Sequence, residues 1–323
     1  MANLKLGLIG CGALGRVHAK CVSTIDGAAF TAYADVVEDA AKKALDDFGG
    51  DYAATDPGRI FADDGVDAVY ICTHHDSHAP LAIAAAKAGK HILAEKPLAL
   101  SVERCEEVAE AVEKAGVRLM PAFKMRYYPL VRMAREFLPS PQVAVGQMMD
   151  VRWKDGYWAQ DPVKGGGNVH SQGCHTTDIL RYFAGSEPMR IWATGGAITH
   201  PGHPSIDQCV ASIQFANGHV ASWIQGDAGR GEFTSKFFFE LFGDSRSVQL
   251  FDRLKGATFF DGEKSWTERR EEEEGFQLEN EEFIAALLES RPPALTTHDG
   301  IQATRIVLAA DKAIRTGQVQ ELG

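Results

Sequence analysis

The chain has 323 residues and a formal net charge of −11, with 45% hydrophobic and 24% charged residues. This composition is typical of a globular protein, and the length is enough for two domains. The acidic balance argues against nucleic acids and anionic membranes as partners, because both are bound through clustered Lys and Arg. The N-terminal segment does not resemble a signal peptide, no apolar run reaches the roughly 18 residues of a membrane span, and the six cysteines lack CxxC spacing. We therefore expect a cytoplasmic protein with reduced thiols.

In residues 1–122, short apolar runs alternate with stretches of helical composition. The pattern predicts strands at 4–10, 28–35, 68–72, 91–94 and 118–123, with helices at 13–24, 37–48, 77–88 and 101–115. Ser101 has the side chain of an N-cap for the last of these helices. Strands that alternate with helices of this length indicate β–α–β units around a parallel sheet. We expect residues 1–122 to form a doubly wound α/β domain.

The pattern changes in residues 123–323, where neighbouring strands follow one another. Strands are predicted at 146–153, 190–198, 208–216, 219–226, 236–242 and 247–251, and helices at 129–138, 175–184, 279–289 and 301–315. Asn217-Gly218 and Gly243-Asp244-Ser245 are hairpin signals. We expect an α+β domain with a large, open, mostly antiparallel sheet, whose final helix is able to pack back on the first domain. The charged run 268–274 is expected to face solvent.

The segment Gly10-Cys11-Gly12-Ala13-Leu14-Gly15 is a GxGxxG motif between the first predicted strand and helix. At this place Gly10 permits the tight turn, Gly12 lets the backbone approach a pyrophosphate, and Gly15 allows close helix–strand packing. The helix N-terminus then faces the phosphates. The motif in this setting predicts a dinucleotide-binding Rossmann domain, with Ala13 and Leu14 part of the binding turn.

Asp35 ends the second predicted strand, twenty residues after Gly15. A carboxylate there accepts hydrogen bonds from the ribose hydroxyls of NAD and repels the 2′-phosphate of NADP. The residues that follow, Val36 and Val37, offer no cation to a phosphate. We therefore expect NAD, with NADP the less favoured cofactor, and include Val36 in the cofactor site.

Two further stretches carry reactive side chains. Glu95-Lys96-Pro97 follows the strand 91–94, at the carboxyl edge where open α/β sheets bind ligands. Gly165-Gly166-Gly167 leads into a predicted helix with His175 near its start and Asp178 one turn later. Three adjacent glycines indicate close approach of the backbone to a ligand or to the other domain.

These motifs resemble one family in their order and content. The stretches GLIGCGALGRVHA, AGKHILAEKPLAL and GGGNVHSQGCHTTDILRYF are similar to the glucose–fructose oxidoreductase/inositol dehydrogenase/MocA family, over nearly the whole chain. The resemblance implies an NAD(P)-dependent oxidoreductase of sugars, cyclitols or related polyols, with its active site between two domains. It implies that Lys96 is the catalytic lysine, that His175 exchanges the hydroxyl proton, and that Lys96–Pro97 is a cis peptide. A histidine suits that role because it titrates near neutrality.

The sequence departs from this family's pattern at Ser171. Inositol-dehydrogenase-like members have an aspartate four residues before the histidine, and a serine cannot stabilise a protonated imidazole as a carboxylate does. A non-catalytic dinucleotide-binding sensor is therefore one alternative, and an NAD-dependent, redox-neutral glycosidase is another. The substrate side is expected to involve Arg126, Tyr157, Trp158, Asn168, Ser171 and Asp178, each of which also suits a core or interface position.

The stretch Thr73-His74-His75-Asp76-Ser77-His78 is the densest group of potential ligands. The family usually reads Thr-Pro-Asn-x-x-His here, so Thr73 and His78 match while His74 and His75 do not. A zinc site needs converging side chains, and a strand-to-helix turn between His74 and His78 would separate them. We expect a polar loop that borders the cofactor, with Thr73, His74, His75, His78, Glu95 and Lys96 all in the cofactor site, and no metal.

The run Phe237-Phe238-Phe239 suggests an aromatic sheet face that is covered by another subunit. A homodimer, or a homotetramer built from two such dimers, is the expected assembly.

Overall fold

The structure is a computed structural model that describes residues 4–230, 235–272 and 274–323. The chain forms two compact units. The first comprises Met1–Lys124 and Phe276–Ile301, and the second comprises Met125–Gly275 and Gln302–Gly323. Within the described ranges, no helix is both long enough and apolar enough to cross a membrane.

The first unit is built on a six-stranded sheet. Its strands are β1 (Leu4–Ile9), β2 (Ala28–Ala34), β3 (Tyr52–Ala54), β4 (Ala68–Ile71), β5 (His91–Ala94) and β6 (Leu119–Pro121). All pairs are parallel, in the order β3-β2-β1-β4-β5-β6. This is the strand order of doubly wound dinucleotide-binding folds, and it confirms the predicted Rossmann domain.

Five helices connect these strands: α1 (Ala13–Val22), α2 (Glu38–Phe48), α3 (Gly58–Phe61), α4 (His75–Lys87) and α5 (Val102–Ala115). The Ser101 side chain accepts a hydrogen bond from the Arg104 amide and caps α5, as predicted. All four residues of β4 are buried, which explains its continuous apolar sequence. Helix α4 begins at His75, two residues before the predicted start, and the short β3 and α3 were missed.

The second unit contains a nine-stranded sheet. The elements after residue 124 are α6 (Pro129–Phe137), β7 (Val143–Val151), α7 (Asn168–Ala184), β8 (Pro188–Gly196), β9 (Gln208–Phe215), β10 (Val220–Gly229), β11 (Phe237–Gly243), β12 (Arg246–Phe251), β13 (Gly256–Phe260), β14 (Ser265–Arg269), α8 (Gly275–Leu288), α9 (Thr297–Thr316) and β15 (Gln320–Glu321). Of these, α8 belongs to the first unit, and α9 passes into the second unit at Gln302. The strand order is β14-β13-β12-β11-β7-β10-β9-β8-β15. Only β7 and β10 pair in parallel among these described strands, so the predicted α+β domain with a mostly antiparallel sheet is confirmed.

The two predicted hairpins form, and one differs in its turn residues. Asn217 and Gly218 connect β9 to β10 as expected. Between β11 and β12, Gly243 is still paired in the ladder, and the turn consists of Asp244 and Ser245, both with positive φ. Two successive positive φ values give the turn a twist that matches the flanking strands.

The aromatic run on β11 does not provide an exposed face. Phe237 and Phe239 are 3% and 0% exposed, and the Phe239 ring lies 6.4 Å from the Phe183 ring of α7 in the core of the second unit. Side chains alternate along a strand, so only Phe238 of the three points to the other side. The expectation that this run is covered by a second subunit is therefore wrong.

Candidate active site

The GxGxxG segment forms a tight turn from β1 into α1. Gly10 has a φ of +91°, a conformation that side chains disfavour, and a Cβ at Gly15 would overlap with the carbonyl oxygen of Gly10. A Cβ at Gly12 would meet nothing within 4 Å, and no side chain caps the first turn of α1. The turn therefore leaves backbone amides at the start of α1 open to an anionic ligand, which fits a dinucleotide pyrophosphate.

Asp35 braces this turn from the end of β2. Its two carboxylate oxygens accept hydrogen bonds from the backbone amides of Cys11, at 2.7 Å, and Val37, at 2.9 Å. Each oxygen retains acceptor capacity for a ribose hydroxyl. Val36, the next residue, is 89% exposed. Asp35 thus holds the glycine turn as well as presenting its charge at the edge of the sheet.

The histidine-rich stretch is divided between the end of β4 and the first turn of α4. His74 is exposed at the N-cap, whereas His75 and His78 are buried in the helix with ring centroids 5.5 Å apart. The Thr73 and Ser77 hydroxyls lie 2.6 Å apart and close the turn. Helix α4 begins at His75, so His74 stands at its N-cap and the other two histidines lie within the helix.

Each ring nitrogen of His78 lies within hydrogen-bond distance of a backbone carbonyl oxygen. Its Nδ1 lies 2.7 Å from the Pro97 oxygen and its Nε2 lies 3.1 Å from the Thr73 oxygen. Burial lowers the pKa of His78, and the two carbonyls oppose that shift only in part. With a backbone carbonyl from each segment beside its ring, His78 ties the 73–78 turn to the Lys96–Pro97 segment.

Lys96 lies directly after β5 and is joined to Pro97 by a cis peptide bond, as the resemblance implied. Its side chain is only 7% exposed, and its backbone amide donates to Glu95 Oε2 at 3.1 Å. Burial would raise the pKa of Glu95, but the hydrogen bond from His18 and the nearby charges outweigh it and hold that pKa below its ordinary value. The buried carboxylate is therefore ionised beside the lysine.

Helix α7 carries the second group of predicted residues. It begins at Asn168, seven residues before the predicted start, after Gly167 with a φ of +86°. Ser171 and His175 are buried on it, four residues apart, and His175 is 5% exposed. A serine one turn before a buried histidine offers a hydroxyl in place of a carboxylate. The glycine run thus serves as the entry to a helix whose first turns are polar and buried.

Arg126 and Asp178 form a two-point ion pair. Arg126 Nε lies 2.8 Å from Asp178 Oδ2, and its Nη2 lies 2.6 Å from Oδ1. The Arg126 side chain is 13% exposed and that of Asp178 is 1% exposed. Both were predicted to face the substrate independently, and the structure instead pairs them with each other within the second unit.

The other substrate-side candidates differ in exposure. Asn168 is buried, and its Oδ1 accepts a hydrogen bond from Gln225 at 3.0 Å. Tyr157 is half-exposed, and its ring lies 5.1 Å from the Trp153 ring and 5.7 Å from the Trp158 ring. These three aromatic rings form a partly exposed cluster, which suits stacking on a sugar face.

A second group of potential metal ligands lies in the second unit, at His200, Asp207 and Asp227. Asp207 accepts hydrogen bonds from three backbone amides, which outweigh the effect of burial and lower its pKa. Asp227 accepts from the Trp153 amide and from the side chains of Thr199 and Gln208. Because protein donors already engage both carboxylates, this cluster fixes the loop 197–207 against the start of the loop after β7. The sequence analysis missed it.

The doubly wound sheet, the open glycine turn and the carboxylate that ends β2 define the first unit as a dinucleotide-binding domain. Residues 4–123 match the model of an oxidoreductase family with an NAD-binding Rossmann fold, and residues 142–322 match the C-terminal alpha/beta domain of that family. The chain therefore belongs to the glucose–fructose oxidoreductase/inositol dehydrogenase/MocA oxidoreductase family, as the sequence motifs predicted.

Curated relatives and solved structures agree with this assignment. The chain is 27% identical to myo-inositol 2-dehydrogenase of Thermotoga maritima over 96% of each protein, and 28% identical to inositol 2-dehydrogenase of Rhizobium meliloti over 97% of each. It superposes on levoglucosan dehydrogenase in complex with NADH and levoglucosan with a TM-score of 0.91, at 22% identity over 99% of both chains. At that identity the structural likeness shows the fold.

Proposed function

We propose that the protein is an NAD-dependent oxidoreductase that transfers a hydride between nicotinamide and a secondary hydroxyl of a sugar, cyclitol or sugar derivative. The observation that carries the proposal is the buried Lys96 at the carboxyl end of β5, in the same parallel sheet as the open glycine turn. Bound NAD supplies a nicotinamide ring that accepts the hydride. Relatives named as inositol and levoglucosan dehydrogenases support an alcohol substrate.

The preference for NAD over NADP rests on Asp35. Its carboxylate stands where a 2′-phosphate would bring a second negative charge, and the exposed Val36 and Val37 offer no compensating cation. Gly10, Gly12, Ala13, Leu14 and Gly15 would hold the pyrophosphate through their backbone, with Thr73, His74, His75, His78 and Glu95 at the nicotinamide side. One relative is named as an NADP-dependent D-xylose 1-dehydrogenase, and NADP is therefore included beside NAD in the assay below.

Lys96 and His175 divide the proton chemistry. We assign Lys96 the hydrogen bond to the reacting hydroxyl, whose proton loss a nearby ammonium favours, and His175 the removal of that proton. A histidine suits this role because an unperturbed imidazole titrates near neutrality. Ser171 cannot provide the anionic partner found in inositol-dehydrogenase-like members, so the lysine carries more of the stabilisation here.

The domain organisation follows the same proposal. Residues 1–122 bind the dinucleotide, and residues 123–323 bind the substrate and form the oligomer. Tyr157 and Trp158 would stack on the sugar face, and Arg126, Asn168 and Asp178 would shape its surroundings. We place the protein in the cytoplasm because its six cysteines are scattered along the chain without CxxC spacing, a pattern typical of reduced thiols.

A homodimer or homotetramer would use the open face of the nine-stranded sheet. Val143, Trp192, Val210 and Val220 all lie on that face and are between 41% and 47% exposed, which is unusual for large apolar side chains in neighbouring strands. Trp192→Glu should convert the oligomer to a monomer in light scattering. A wild-type monomer at micromolar concentration would contradict this assembly.

Absorbance at 340 nm tests the proposed activity. Chelator-treated protein is mixed with NAD or NADP and a panel of inositols, aldoses, levoglucosan and glycosides. We expect NADH from a sugar or cyclitol, with Lys96→Ala and His175→Ala lowering kcat at least about a hundredfold. Glycoside cleavage without net NADH formation would identify the redox-neutral glycosidase. Tight NAD binding without turnover would favour a sensor, which is the alternative that Ser171 supports.

A further inference from the structure

We propose that His18 is a positioning residue for Lys96: through Glu95, it couples the helix that follows the dinucleotide turn to the loop that carries the lysine. This inference rests on the proposed function, and it concerns residues of the first unit alone. His18 lies on α1, three residues after Gly15, and has no place among the residues that the sequence motifs assign to cofactor or substrate.

A continuous chain of contacts joins the two sites. His18 Nε2 lies 3.3 Å from Glu95 Oε1, and the other oxygen of Glu95 accepts the backbone amide of Lys96 at 3.1 Å. The side chains of His18 and Glu95 are 0% and 5% exposed. Two buried hydrogen bonds thus separate the helix of the glycine turn from the backbone of the lysine.

The direction of the bond between His18 and Glu95 follows from the carboxylate. An ionised carboxylate only accepts hydrogen bonds, so the 3.3 Å contact requires a hydrogen on Nε2, and His18 donates to Glu95. The second partner of the imidazole is Asn280 on α8, whose amide nitrogen and oxygen lie 3.0 and 3.2 Å from His18 Nδ1. The same amide nitrogen donates to the Phe276 carbonyl at 2.8 Å, which fixes the Asn280 side chain.

Water cannot replace this donor. The His18 ring has edge contacts with Tyr70 and Phe276, at centroid distances of 5.5 and 5.6 Å. An apolar surrounding makes an unpaired buried carboxylate costly. Loss of the imidazole therefore leaves Glu95 without a donor on Oε1, which favours either its protonation or its rotation away from Lys96.

The charged and titratable groups around Glu95 come from several elements. His18 belongs to α1, His78 to α4 and Lys96 to the same loop, and all three favour the ionised carboxylate. Cys72, at the end of β4, has a pKa raised well above its ordinary value, first by burial and next by Glu95, so it remains a neutral thiol. Of these groups, His18 makes the direct hydrogen bond and is the one whose removal should matter most for the pKa of Glu95.

The kinetic test compares His18→Leu with His18→Gln, whose amide nitrogen can take the place of Nε2. We expect His18→Leu to lower kcat about 10- to 100-fold, because small misplacement of a catalytic group has effects of this size. Its NAD affinity, measured by fluorescence titration, should change less than about threefold, and the acid limb of kcat/KM should move up by about one to two pH units. His18→Gln should recover most of kcat. Wild-type kinetics in His18→Leu, or an equal loss in both variants, would overturn the proposal.

A matched control and a readout without substrate complete the design. His91→Gln removes a half-buried histidine at the far end of β5, which accepts one backbone amide, and should leave kcat and the pH profile unchanged. If His18→Leu does not fold, Asn280→Ala frees the imidazole and should lower kcat about threefold, with unchanged kcat as the refuting result. Carboxyl ¹³C NMR of Glu95 should show that its pKa is higher in His18→Leu or in Asn280→Ala than in the wild type. This readout does not require that any substrate is turned over. An unaltered Glu95 titration rejects the coupling, whereas a shifted titration in a protein with no turnover rejects only the enzymatic function.

Discussion

His170 links the stability of the second unit to pH. It is buried on α7, its Nε2 has no hydrogen-bond partner among the described residues, and burial lowers its pKa to about 4, with Asp311 opposing the shift. An unfolded histidine titrates near pH 6.5, so between pH 6.5 and 4 the unfolded state binds the proton and the folded state does not. Stability is therefore complete above about pH 6.5 and falls on acidification. A difference of about 2.5 pH units is worth about 3 kcal/mol, at about 1.4 kcal/mol per unit.

The assay is urea unfolding from pH 7.5 to 4, followed by tryptophan fluorescence. All five tryptophans lie in the second unit, as does His170, so the signal reports the unfolding of that unit. Other groups titrate in this range, so the quantity of interest is the wild-type free energy of unfolding minus that of His170→Gln. This difference should be constant above pH 7 and fall by about 3 kcal/mol by pH 4. A difference that does not vary with pH would refute the assignment of His170 as a buried neutral histidine.

Three further substitutions test the site. Gly15→Ala, whose methyl group would overlap with the Gly10 carbonyl, should weaken NAD binding at least about tenfold in a fluorescence titration, and unchanged affinity would contradict the turn geometry. Asp35→Ala removes the acceptor for the turn amides and the ribose, so the ratio of NAD to NADP affinity should fall at least about tenfold; an unchanged ratio would show that Asp35 does not select the cofactor. Arg126→Ala removes the two-point ion pair of the buried Asp178 carboxylate and should cost about 3–5 kcal/mol in unfolding free energy, most of which Arg126→Ala combined with Asp178→Asn should restore. A single substitution that costs less than about 1 kcal/mol would mean that the pair is exposed to solvent.

The cofactor-binding turn and its carboxylate were predictable from the sequence because each depends on residues that are close together in the chain. The positions of Gly10, Gly12 and Gly15 fix a turn, and Asp35 follows at the end of the next strand, so sequence spacing is enough to place them on one sheet. The parallel pairing of the sheet also follows from the alternation of strands and helices, and five of its six strands were predicted. The short strand β3 and the hairpin β13–β14 were missed because each is too short or too irregular to show a clear period.

Contacts between distant residues were not predictable from the sequence. The first turns of α7 contain Asn168 and Ser171, which are polar but buried, so they lack the apolar period that marks a helix. Arg126 and Asp178 are 52 residues apart, so the sequence did not indicate their pairing and each was interpreted as a possible substrate ligand. His18 had one available signal: it lies three residues after Gly15, on the same side of the helix, and such a position faces the sheet.

Deuterium transfer tests the central claim most directly. Myo-inositol, D-xylose and levoglucosan labelled with deuterium at their carbinol carbons are incubated with the protein and NAD, and the reduced cofactor is analysed by mass spectrometry. We expect NADH one mass unit heavier than the unlabelled cofactor from at least one substrate, formed at least about a hundredfold more slowly by the Lys96→Ala protein. Unlabelled NADH, or none from any member of the wider polyol panel despite saturating NAD, would contradict hydride transfer from a secondary alcohol.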